Sequence, residues 1–333
     1  MRFRACGDAG GTRILTGVIL APSSLKDLAR GLAHAFALGE KVERVEWGAL
    51  NRVLQHTPED MTVTVEAGMT LAALQAELAK RGQWLPIDPP HPKQLTVEAL
   101  LATNASGPRR FGYGTIRDYV IGTKVALADG RVVKSGGQVV KNVAGYDLCK
   151  LFVGSRGSLG VIAETTFKLR PVPEAERFVQ ARCDSIDHAN ALLESTLDSE
   201  LTPVVLDLHR SSSTAETRPG PLTLVLGFAG TNEEVEWQLG KARGLGFNQP
   251  SNLDHERSFW TDESPANRLS FLPSKTIEAV RRLGDARFVA RAGNGVIHYR
   301  GGATPPKNGV PIKLTRRLKD AFDPKHILPD LPL

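Results

Sequence analysis

Four short stretches of small and polar residues stand out as places where the backbone could lie against a ligand. They are Asp88-Pro-Pro90, Thr103 to Gly107, Tyr113-Gly114 with Arg117-Asp118, and Gly154 to Val161. Glycine lacks a Cβ atom, so it adopts left-handed conformations and lets backbone N–H groups approach flat or anionic groups closely. Together the four stretches indicate a groove lined by backbone, and a series of tight turns is the alternative that glycine spacing leaves open.

The densest of these regions is Gly136 to Glu164, which carries six glycines within an otherwise apolar pattern. Its run from Gly154 to Gly160 has the spacing G-x-x-G-x-x-G, which differs from the dinucleotide fingerprint G-x-G-x-x-G, and the sequence contains no P-loop motif. It also lacks the H-E-x-x-H motif of zinc peptidases and the G-x-S-x-G motif of serine hydrolases. Rossmann-type, P-loop and these hydrolytic chemistries are therefore not expected.

Composition restricts the function further. Cys6, Cys149 and Cys183 are scattered without C-x-x-C spacing, which argues against a disulfide framework, a zinc site and an iron-sulfur cluster. The 42 Lys and Arg exceed the 36 Asp and Glu by six, yet the sequence has no long basic run and no basic stripe interleaved with aromatic residues. We therefore expect a small anionic ligand and no nucleic acid.

Length and hydropathy favour an enzyme-sized protein of about two domains. The chain has 333 residues, 41% of them hydrophobic, so it can bury a large core. The first twelve residues contain no apolar leader, and nowhere do about 18 apolar residues run together. A cytoplasmic location is the resulting expectation.

The first half of the chain has the pattern of mixed helices and strands. The predicted elements are a helix over 25–38 capped by Ser23 or Ser24, a strand over 61–66, a helix over 71–80, a hairpin turning at Asp129-Gly130, and a strand over 161–169. Pro171 and Pro173 then mark a domain boundary. After them, β-α-β-β-α-β alternation predicts an antiparallel sheet with helices on one face, and 211–221 reads as a loop.

Six ordered motifs between Leu85 and Pro173 carry a family resemblance. They are LPIDPP, LLATNASGPRR, FGYGTIRDYVIG, ADGRVVKSGG, VVKNVAGYDLCKLFVGSRGSLGVI and FKLRPVP. In this order they closely resemble the FAD-binding subunit of bacterial glycolate oxidase, a flavoprotein of the vanillyl-alcohol-oxidase (PCMH) type. Weaker similarity covers residues 50–54, 63–78 and 318–324.

The resemblance implies an α+β fold in which a two-subdomain FAD-binding domain holds an elongated FAD and carries a smaller α+β cap domain. We expect the FAD domain to span residues 1–173 and the substrate-binding cap residues 174–305. The remaining residues, 306–333, would form a C-terminal segment that returns to the FAD domain.

The same resemblance implies which residues line a non-covalently bound FAD. A flavin ring must be desolvated yet hydrogen-bonded along its edges, so small residues with free backbone N–H groups suit it. Arg109, Arg110 or Arg117 could neutralise the pyrophosphate, with a surface charge or a pair with Asp118 as the alternative for each. The predicted cofactor-binding residues are Asp88, Pro89, Thr96, Thr103, Asn104, Ser106, Gly107, Tyr113, Gly114, Arg117, Asp118, Gly157, Gly160 and Val161.

The chain departs from the family at the pyrophosphate end. The family has a loop of R-G-G-G-T type after its first helix and strand, where this sequence runs from Glu40 straight on to Trp47. Residues 7–12 have that chemistry but precede the helix. The family's T-[IV]-G-G is here Thr96-Val-Glu98-Ala99, and a carboxylate near a phosphate would oppose FAD binding.

A second motif bears on catalysis. The segment from Arg291 to Arg300 resembles the H-x-G-D-G-N-L-H segment of related flavin dehydrogenases, in which both histidines bind a metal near the substrate. Arg291 and Asn294 replace two ligands, so no metal site is expected. His298 keeps the place of the second histidine and is the candidate catalytic base, with a hydrogen-bonded or solvent-facing strand histidine as the alternative.

The resulting functional hypothesis is a subunit of a hetero-oligomeric glycolate oxidase in glycolate catabolism. It would oxidise a small 2-hydroxy acid to a 2-oxo acid and pass electrons to a second flavoprotein subunit and an iron-sulfur subunit, with membrane association through those partners left open. One alternative is a self-sufficient FAD-linked D-lactate dehydrogenase. The other is a structural subunit that has kept the fold and lost FAD.

Overall fold

The computed structural model describes residues 17–137, 148–210, 220–301 and 312–331. Part of the glycine-rich stretch (138–147), the upstream glycines (7–12) and most of the predicted 211–221 loop lie outside these ranges. Among the described residues, no helix is both long and apolar enough to cross a membrane.

The chain begins with a small β-α-β unit. It consists of β1 (Val18–Leu20), α1 (Leu25–Leu38) and β2 (Val42–Val45), and the two strands pair in parallel. Ser24 caps α1 by accepting a hydrogen bond from the backbone N–H of Asp27, and Gly39 ends the helix in a left-handed conformation. The predicted helix is confirmed at both ends.

A five-stranded antiparallel sheet follows, in the order β3-β4-β8-β6-β7. Residues of β4, α2, α3, α5 and β8 share one apolar core, which includes Val65, Leu74, Leu100, Phe152 and Phe167. The elements of this region are β3 (Val53–Thr57), β4 (Thr62–Glu66), α2 (Leu71–Ala79), β5 (Gln83–Trp84), α3 (Val97–Thr103), α4 (Arg110–Tyr113), β6 (Val120–Ala126), β7 (Val132–Gly136), α5 (Cys149–Phe152), β8 (Val161–Lys168) and β9 (Arg170–Pro171).

The chain then enters a seven-stranded antiparallel sheet, in the order β13-β10-β12-β11-β15-β16-β14. Its elements are β10 (Ala175–Cys183), α6 (Ile186–Leu197), β11 (Val205–Arg210), β12 (Leu222–Gly230), α7 (Asn232–Gly244), β13 (Gln249–Ser251), α8 (Asp254–Thr261), β14 (Asn267–Ser270), α9 (Thr276–Arg282), β15 (Arg287–Arg291) and β16 (Val296–Arg300). Single-turn 3-10 helices cover Pro58–Asp60, Ile116–Asp118, Pro273–Lys275 and Ala292–Asn294.

Strand alternation gives this second sheet two different faces. One face is apolar and shares a core with α6, α7 and α9, through residues such as Leu208, Leu224 and Ile297. The other, which we call the polar face, carries Asp207 and His209 of β11, Arg291 of β15, His298 of β16 and Arg268 of β14. The predicted antiparallel sheet is confirmed, with α6, α7 and α9 on one face. Helix α8 lies over the polar face, so the prediction of helices on one face alone is wrong.

A last helix, α10 (Ile312–Phe322), returns to the first region. Phe322 packs edge-on against Phe152, with the ring centroids 5.8 Å apart. The Lys319 ammonium donates to the backbone carbonyl of Ser158, 3.0 Å away, so the C-terminal helix contacts the loop before β8 directly.

Candidate functional site

The loop from Gly154 to Gly160 is fixed against the C-terminal end of α3. The backbone N–H groups of Gly154 and Arg156 donate to the carbonyls of Leu101 and Ala102, at 2.8 and 2.9 Å. α3 ends where Asn104 turns left-handed, with φ of 48°. The structure therefore brings together Thr103–Gly107 and Gly154–Val161, two of the stretches singled out from the sequence.

We call Asn104, Gly154, Arg156 and Gly157 the cofactor cradle. All four have positive φ, between 48° and 88°, and the N–H groups of Asn104, Gly154 and Arg156 are bonded to carbonyls of α3. The Asn104 side-chain oxygen is buried and has no hydrogen-bond partner among the described residues. A Cβ atom added to Gly157 would meet nothing within 4 Å. An open backbone beside an unsatisfied acceptor fits a flat group with hydrogen-bonding edges, such as a flavin.

Other predicted residues shape α3 and its exit. The Thr96 hydroxyl caps the helix by accepting from the N–H of Ala99, and the Thr103 hydroxyl donates to the Ala99 carbonyl. Ser106 accepts a hydrogen bond from Arg110 at 3.2 Å. Gly107 lies so close to Asp88 that a Cβ atom would sit 1.9 Å from the Asp88 carbonyl oxygen. These residues position the cradle, and the Thr96 and Thr103 oxygens are engaged within the helix.

Tyr113, Gly114, Arg117 and Asp118 form a separate turn. The Asp118 carboxylate accepts from the backbone N–H and the hydroxyl of Thr115, which closes a capping box. The Tyr113 ring meets Trp84 edge-on at 5.4 Å, and Arg117 is exposed. The contacts described for these residues stabilise the turn itself, and a direct role toward a cofactor stays a prediction.

Gly160 and Val161 lie where the loop enters β8. A Cβ atom on Gly160 would lie 2.7 Å from the Val125 side chain, so only glycine fits without displacement. Val161 is buried in a cluster with Leu28 and Leu32 of α1. Val161 joins the small N-terminal unit to the five-stranded sheet, and Gly160 allows the close approach of the loop to β6.

An interdomain cavity of about 390 Å³ lies between the proline-rich stretch after Ile87 and helix α8. It includes two of the predicted residues, Asp88 and Pro89. Its walls are formed by Asp88, Pro89, Pro90, His91, Pro92, Pro108, Arg109, Leu253, Glu256, Arg257, Trp260 and Thr261.

Asp88 belongs to an ion chain that crosses between the two regions. Arg109 donates to Asp88 at 2.9 Å and to Glu176 at 2.5 Å, so it joins the first region to β10. Burial raises the pKa of Asp88 to about 6, and Glu256 adds to the effect, although Arg109 and Arg291 oppose it. The pKa of Asp88 therefore depends on charged groups of the polar face, on the other side of the interdomain cavity.

The centre of the polar face is Arg291. Its guanidinium donates to Asp207 and to Glu256, both at 2.6 Å. Glu256 also accepts from the indole N–H of Trp260 at 2.7 Å, and His255 lies 3.1 Å from Asp207. Although burial disfavours the charged form, the two carboxylates raise the pKa of Arg291. This is a buried ion network on a strand, oriented toward the interdomain cavity through Glu256.

The candidate base His298 lies beside this network. It is the register partner of Arg268 on β14 and of Val289 on β15, and its ring is 5.0 Å from that of Trp260. Burial lowers the pKa of His298 to about 3, and repulsion from Arg291, Arg268 and Arg110 adds to the effect. The imidazole is therefore neutral at physiological pH, and it is a weak base.

Three arginines converge near His298 without a carboxylate partner. Arg110 comes from α4, Arg156 from the cofactor cradle and Arg268 from β14. Desolvation lowers the pKa of Arg110, as does repulsion from Arg268; the pKa of Arg268 is lowered by desolvation and by Arg156. Within the described parts of the chain, none of the three forms an ion pair. Like charges gathered without counter-ions favour an anionic ligand.

Glu98 was expected to oppose a cofactor phosphate. It lies in the first turn of α3, and burial raises its pKa to about 7. A carboxyl group that is partly protonated near neutral pH repels an anion less than an ordinary carboxylate does. Glu98 should therefore oppose a cofactor phosphate less than the sequence alone predicts.

The described residues contain no group of three or more His, Cys, Asp and Glu side chains that could hold a metal ion. Arg291 stands at the first position of the metal motif and pairs with two acidic side chains there. In this chain, Arg291 therefore occupies the strand position at which the motif has a metal ligand.

The sequence analysis missed Asp207, Glu256 and Trp260. A signal for Asp207 exists, because Asp207 and His209 are polar at period two within the apolar strand VVLDLH. Glu256 and Trp260 lie one helical turn apart on α8, and only the fold places that helix over the polar face.

Comparison with known proteins agrees with this geometry. A family model described as FAD binding domain matches residues 23–136. This chain carries an FAD-binding domain. The cofactor prediction is thereby confirmed, and the matched segment contains Asn104 of the cradle.

Curated relatives match about half of the FAD-binding chain or less. It is 36% identical over 158 residues to glycolate oxidase subunit GlcD of Bacillus subtilis, and 40% identical over 124 residues to glycolate oxidase subunit GlcE of Escherichia coli. It is also 34% identical over 170 residues to D-2-hydroxyglutarate dehydrogenase of Xanthomonas citri. These matches cover 47%, 37% and 51% of this chain and about a third of each relative.

The likeness of the FAD-binding chain to a solved structure is more extensive. Alkyldihydroxyacetonephosphate synthase superposes with a TM-score of 0.66 at 18% identity, covering 93% of this chain and 76% of that one. At this identity the comparison bears on the fold alone. The α+β flavoprotein fold of the vanillyl-alcohol-oxidase type is confirmed.

Proposed function

We propose that this chain oxidises a small 2-hydroxy acid with FAD, as a component of a glycolate oxidase of several subunits. The observation that carries the proposal is a set of three arginines, Arg110, Arg156 and Arg268, which form no ion pair with any residue that the structure describes and which gather where the cofactor cradle meets the polar face. A guanidinium group suits a carboxylate because it donates two parallel hydrogen bonds.

FAD, when bound, supplies the acceptor for the hydride that leaves the alcohol carbon. Asn104 and the left-handed backbone from Gly154 to Gly157 would hold the flavin edge. Arg268 would bind the substrate carboxylate, since it lies beside His298 on the polar face. The apolar cluster around α3 and β8 would exclude water from the ring.

The names of its relatives and the spacing of its cysteines support the proposal that this chain is one subunit of a larger complex. Two of the relatives are named as glycolate oxidase subunits. The three cysteines have no cluster spacing, so one-electron transfer through iron and sulfur would need a partner. We propose a second flavoprotein subunit and an iron-sulfur subunit as those partners.

The test is anaerobic reduction of the flavin. The purified chain, loaded with FAD, is mixed with glycolate or with D-lactate, and bleaching of the visible flavin band is followed. We expect bleaching by at least one acid, and transfer to an added dye only after co-purification with the partners. Rapid dye reduction by the isolated chain would favour the self-sufficient dehydrogenase. A colourless protein without a thermal shift in excess FAD would leave only a structural subunit.

Arg268→Met sharpens the same test. Loss of a charge-assisted hydrogen bond of about 1.5–3 kcal/mol should raise the half-saturating acid concentration by about tenfold or more. Arg282→Met, which removes an exposed arginine paired with Glu278, serves as the control and should change nothing. Equal behaviour of the two variants would contradict carboxylate binding at Arg268.

A further inference from the structure

Three buried polar atoms of the ion network lack a hydrogen-bond partner within the described part of the chain. They are Asp207 Oδ1, Glu256 Oε2 and Arg291 Nε. The three residues are only 0, 7 and 2% exposed. An unsatisfied buried polar atom is destabilising, so three in one network indicate a bound group that supplies the missing partners.

The network holds Glu256 in a fixed orientation. Its Oε1 atom accepts from Arg291 at 2.6 Å and from the Trp260 indole at 2.7 Å. Two donors on one oxygen leave the other oxygen, Oε2, with its lone pairs unused. Because Glu256 also lines the interdomain cavity, this carboxylate is an oriented acceptor at the junction of the two regions.

His298 is the competing proton acceptor, and its surroundings are unsuited to that role. Burial disfavours its protonated form most, and Arg291, Arg268 and Arg110 add to this effect, although Glu256 opposes it. A general base works best when its affinity for a proton is matched to the working pH, and a proton taken by His298 would face three guanidinium groups. Glu256 differs from His298 in its geometry, because Arg291 and Trp260 hold its Oε1 atom and Arg291 is also paired with Asp207.

We infer that Glu256 Oε2 accepts the hydroxyl proton of the 2-hydroxy acid, while the Nε–H group of Arg291 donates a hydrogen bond to the same substrate oxygen. This inference rests on the proposed function. Oxidation of the alcohol breaks a C–H and an O–H bond: the hydride goes to the flavin, the proton goes to Glu256, and a 2-oxo acid forms. The charges balance without a metal ion.

Arg291 then has two tasks. It orients Glu256 through Oε1, and its fixed charge stabilises the negative charge that develops on the substrate oxygen as the proton leaves. A guanidinium group held by two carboxylates needs no reorganisation at that moment. This would explain why an arginine stands where the related motif has a metal ligand.

The decisive experiment compares Glu256→Gln with His298→Gln in the FAD-loaded chain co-purified with its partners. Glutamine keeps an oxygen for Arg291 and Trp260 but takes no proton. With glycolate and D-lactate as probes, we expect Glu256→Gln to slow flavin reduction at least 100-fold and His298→Gln less than 10-fold. Binding of oxalate, which has no hydroxyl group, should change less than threefold in Glu256→Gln, as monitored by the flavin spectrum.

A second measurement uses the unaltered protein and does not depend on whether a variant folds. The rate of flavin reduction should fall at acid pH, and the midpoint of that fall should move little with temperature, as for a carboxylic acid and unlike an imidazole. The charged and titratable groups around Glu256 are Arg291, Asp207, His255, Asp88, Arg109, His91, Arg257 and His298.

The outcomes separate the two proposals. If neither acid reduces the flavin of the unaltered protein, the proposed function is wrong and this inference is wrong with it. If the unaltered protein reacts but Glu256→Gln loses less than tenfold, or His298→Gln loses more than Glu256→Gln, only the assignment of the proton acceptor is overturned. A strongly temperature-dependent acid midpoint overturns it as well.

Discussion

The two sheets of this protein solve the same packing problem and present their functional groups differently. Each is antiparallel and buries an apolar face against helices. Around the five-stranded sheet, the ligand-binding features lie in loops and at the end of α3, where the backbone itself is exposed. On the seven-stranded sheet, charged side chains stand on the strands. This difference suits a cofactor held by backbone and a substrate held by charge.

Their buried ions differ in the same way. Near the five-stranded sheet, the Lys319 ammonium donates to Asp323 and to the carbonyls of Ser158, Leu328 and Pro329, all within 2.7–3.0 Å. The Asp323 carboxylate also accepts two backbone N–H groups. In the network of Arg291, three atoms find no partner among the residues that the structure describes. A complete network stabilises the fold, and an incomplete one is expected where a ligand completes it.

The largest effect should come from Arg291→Met. It leaves Asp207 and Glu256 buried without their cation, and breaking buried pairs in this way costs about 3–5 kcal/mol. We expect the free energy of unfolding to fall by about 5 kcal/mol, since two carboxylates are affected. Urea unfolding at neutral pH measures it. The control Arg282→Met, at an exposed ion pair, should lower the free energy of unfolding by less than about 1 kcal/mol. If the two variants lose similar stability, the buried network is no more stabilising than a surface pair.

Lys319→Met tests the complete network. Asp323 would lose its cation but keep two backbone donors, so the expected loss is smaller, about 3 kcal/mol. Because Ser158 belongs to the loop beside the cofactor cradle, FAD affinity should fall as well. Thermal shift with FAD detects this, since a hundredfold excess of ligand over Kd stabilises by about 2.7 kcal/mol.

The matched control is Lys325→Met. Lys325 also ties the C-terminal segment to the first region, but it is exposed and donates to the carbonyls of Phe36 and Ala37 in α1 instead of to the loop. It should leave FAD affinity unchanged. Equal losses of FAD affinity in the two lysine variants would mean that the contact with Ser158 has no special role.

The smallest of the three effects is expected for Glu98→Gln, and it depends on pH. Burial raises the pKa of Glu98 to about 7, above its ordinary value of 4.5. The native state therefore binds the proton more tightly than the unfolded state, so this contribution to stability is full below pH 4.5 and is lost as the pH rises through 7. Glutamine removes the titration.

Urea unfolding of the unaltered protein and of Glu98→Gln at pH 4.5 and pH 8.5 checks this. A shift of one pKa unit is worth about 1.4 kcal/mol. Allowing for the partial exposure of the side chain, the variant should gain about 2 kcal/mol relative to the unaltered protein between the two pH values. If the difference in free energy of unfolding between the two proteins does not change with pH, the Glu98 carboxyl group is not buried as described.

Local signals in the sequence were sufficient for much of the first region. Ser24 and Gly39 bound α1 as capping rules require, and Asp129-Gly130 closes the hairpin of β6 and β7. The glycine-rich stretches were recognised because backbone conformation is encoded locally. The cofactor prediction rested on these stretches and on the motifs around them, and the family comparison confirmed it.

The polar face was harder to predict, because its members are separated by up to about ninety positions along the chain. Arg291 and Asp207 become neighbours only through the pairing of β11 with β15. Glu256 joins them because α8 packs over β15. Isolated charges in a sequence usually indicate solvent-exposed positions, and nothing local distinguishes these from the rest.

By itself the sequence determined the class of fold and the flavin cofactor, and it predicted the loops that would approach the flavin, since motifs and capping residues act over a few positions. Tertiary structure decided the electrostatics. It buried Glu98 and raised its pKa, surrounded His298 with arginines and lowered its pKa, and gave Glu256 one occupied and one free oxygen. Desolvation and charge proximity depend on distances in space, which a linear order of residues does not specify.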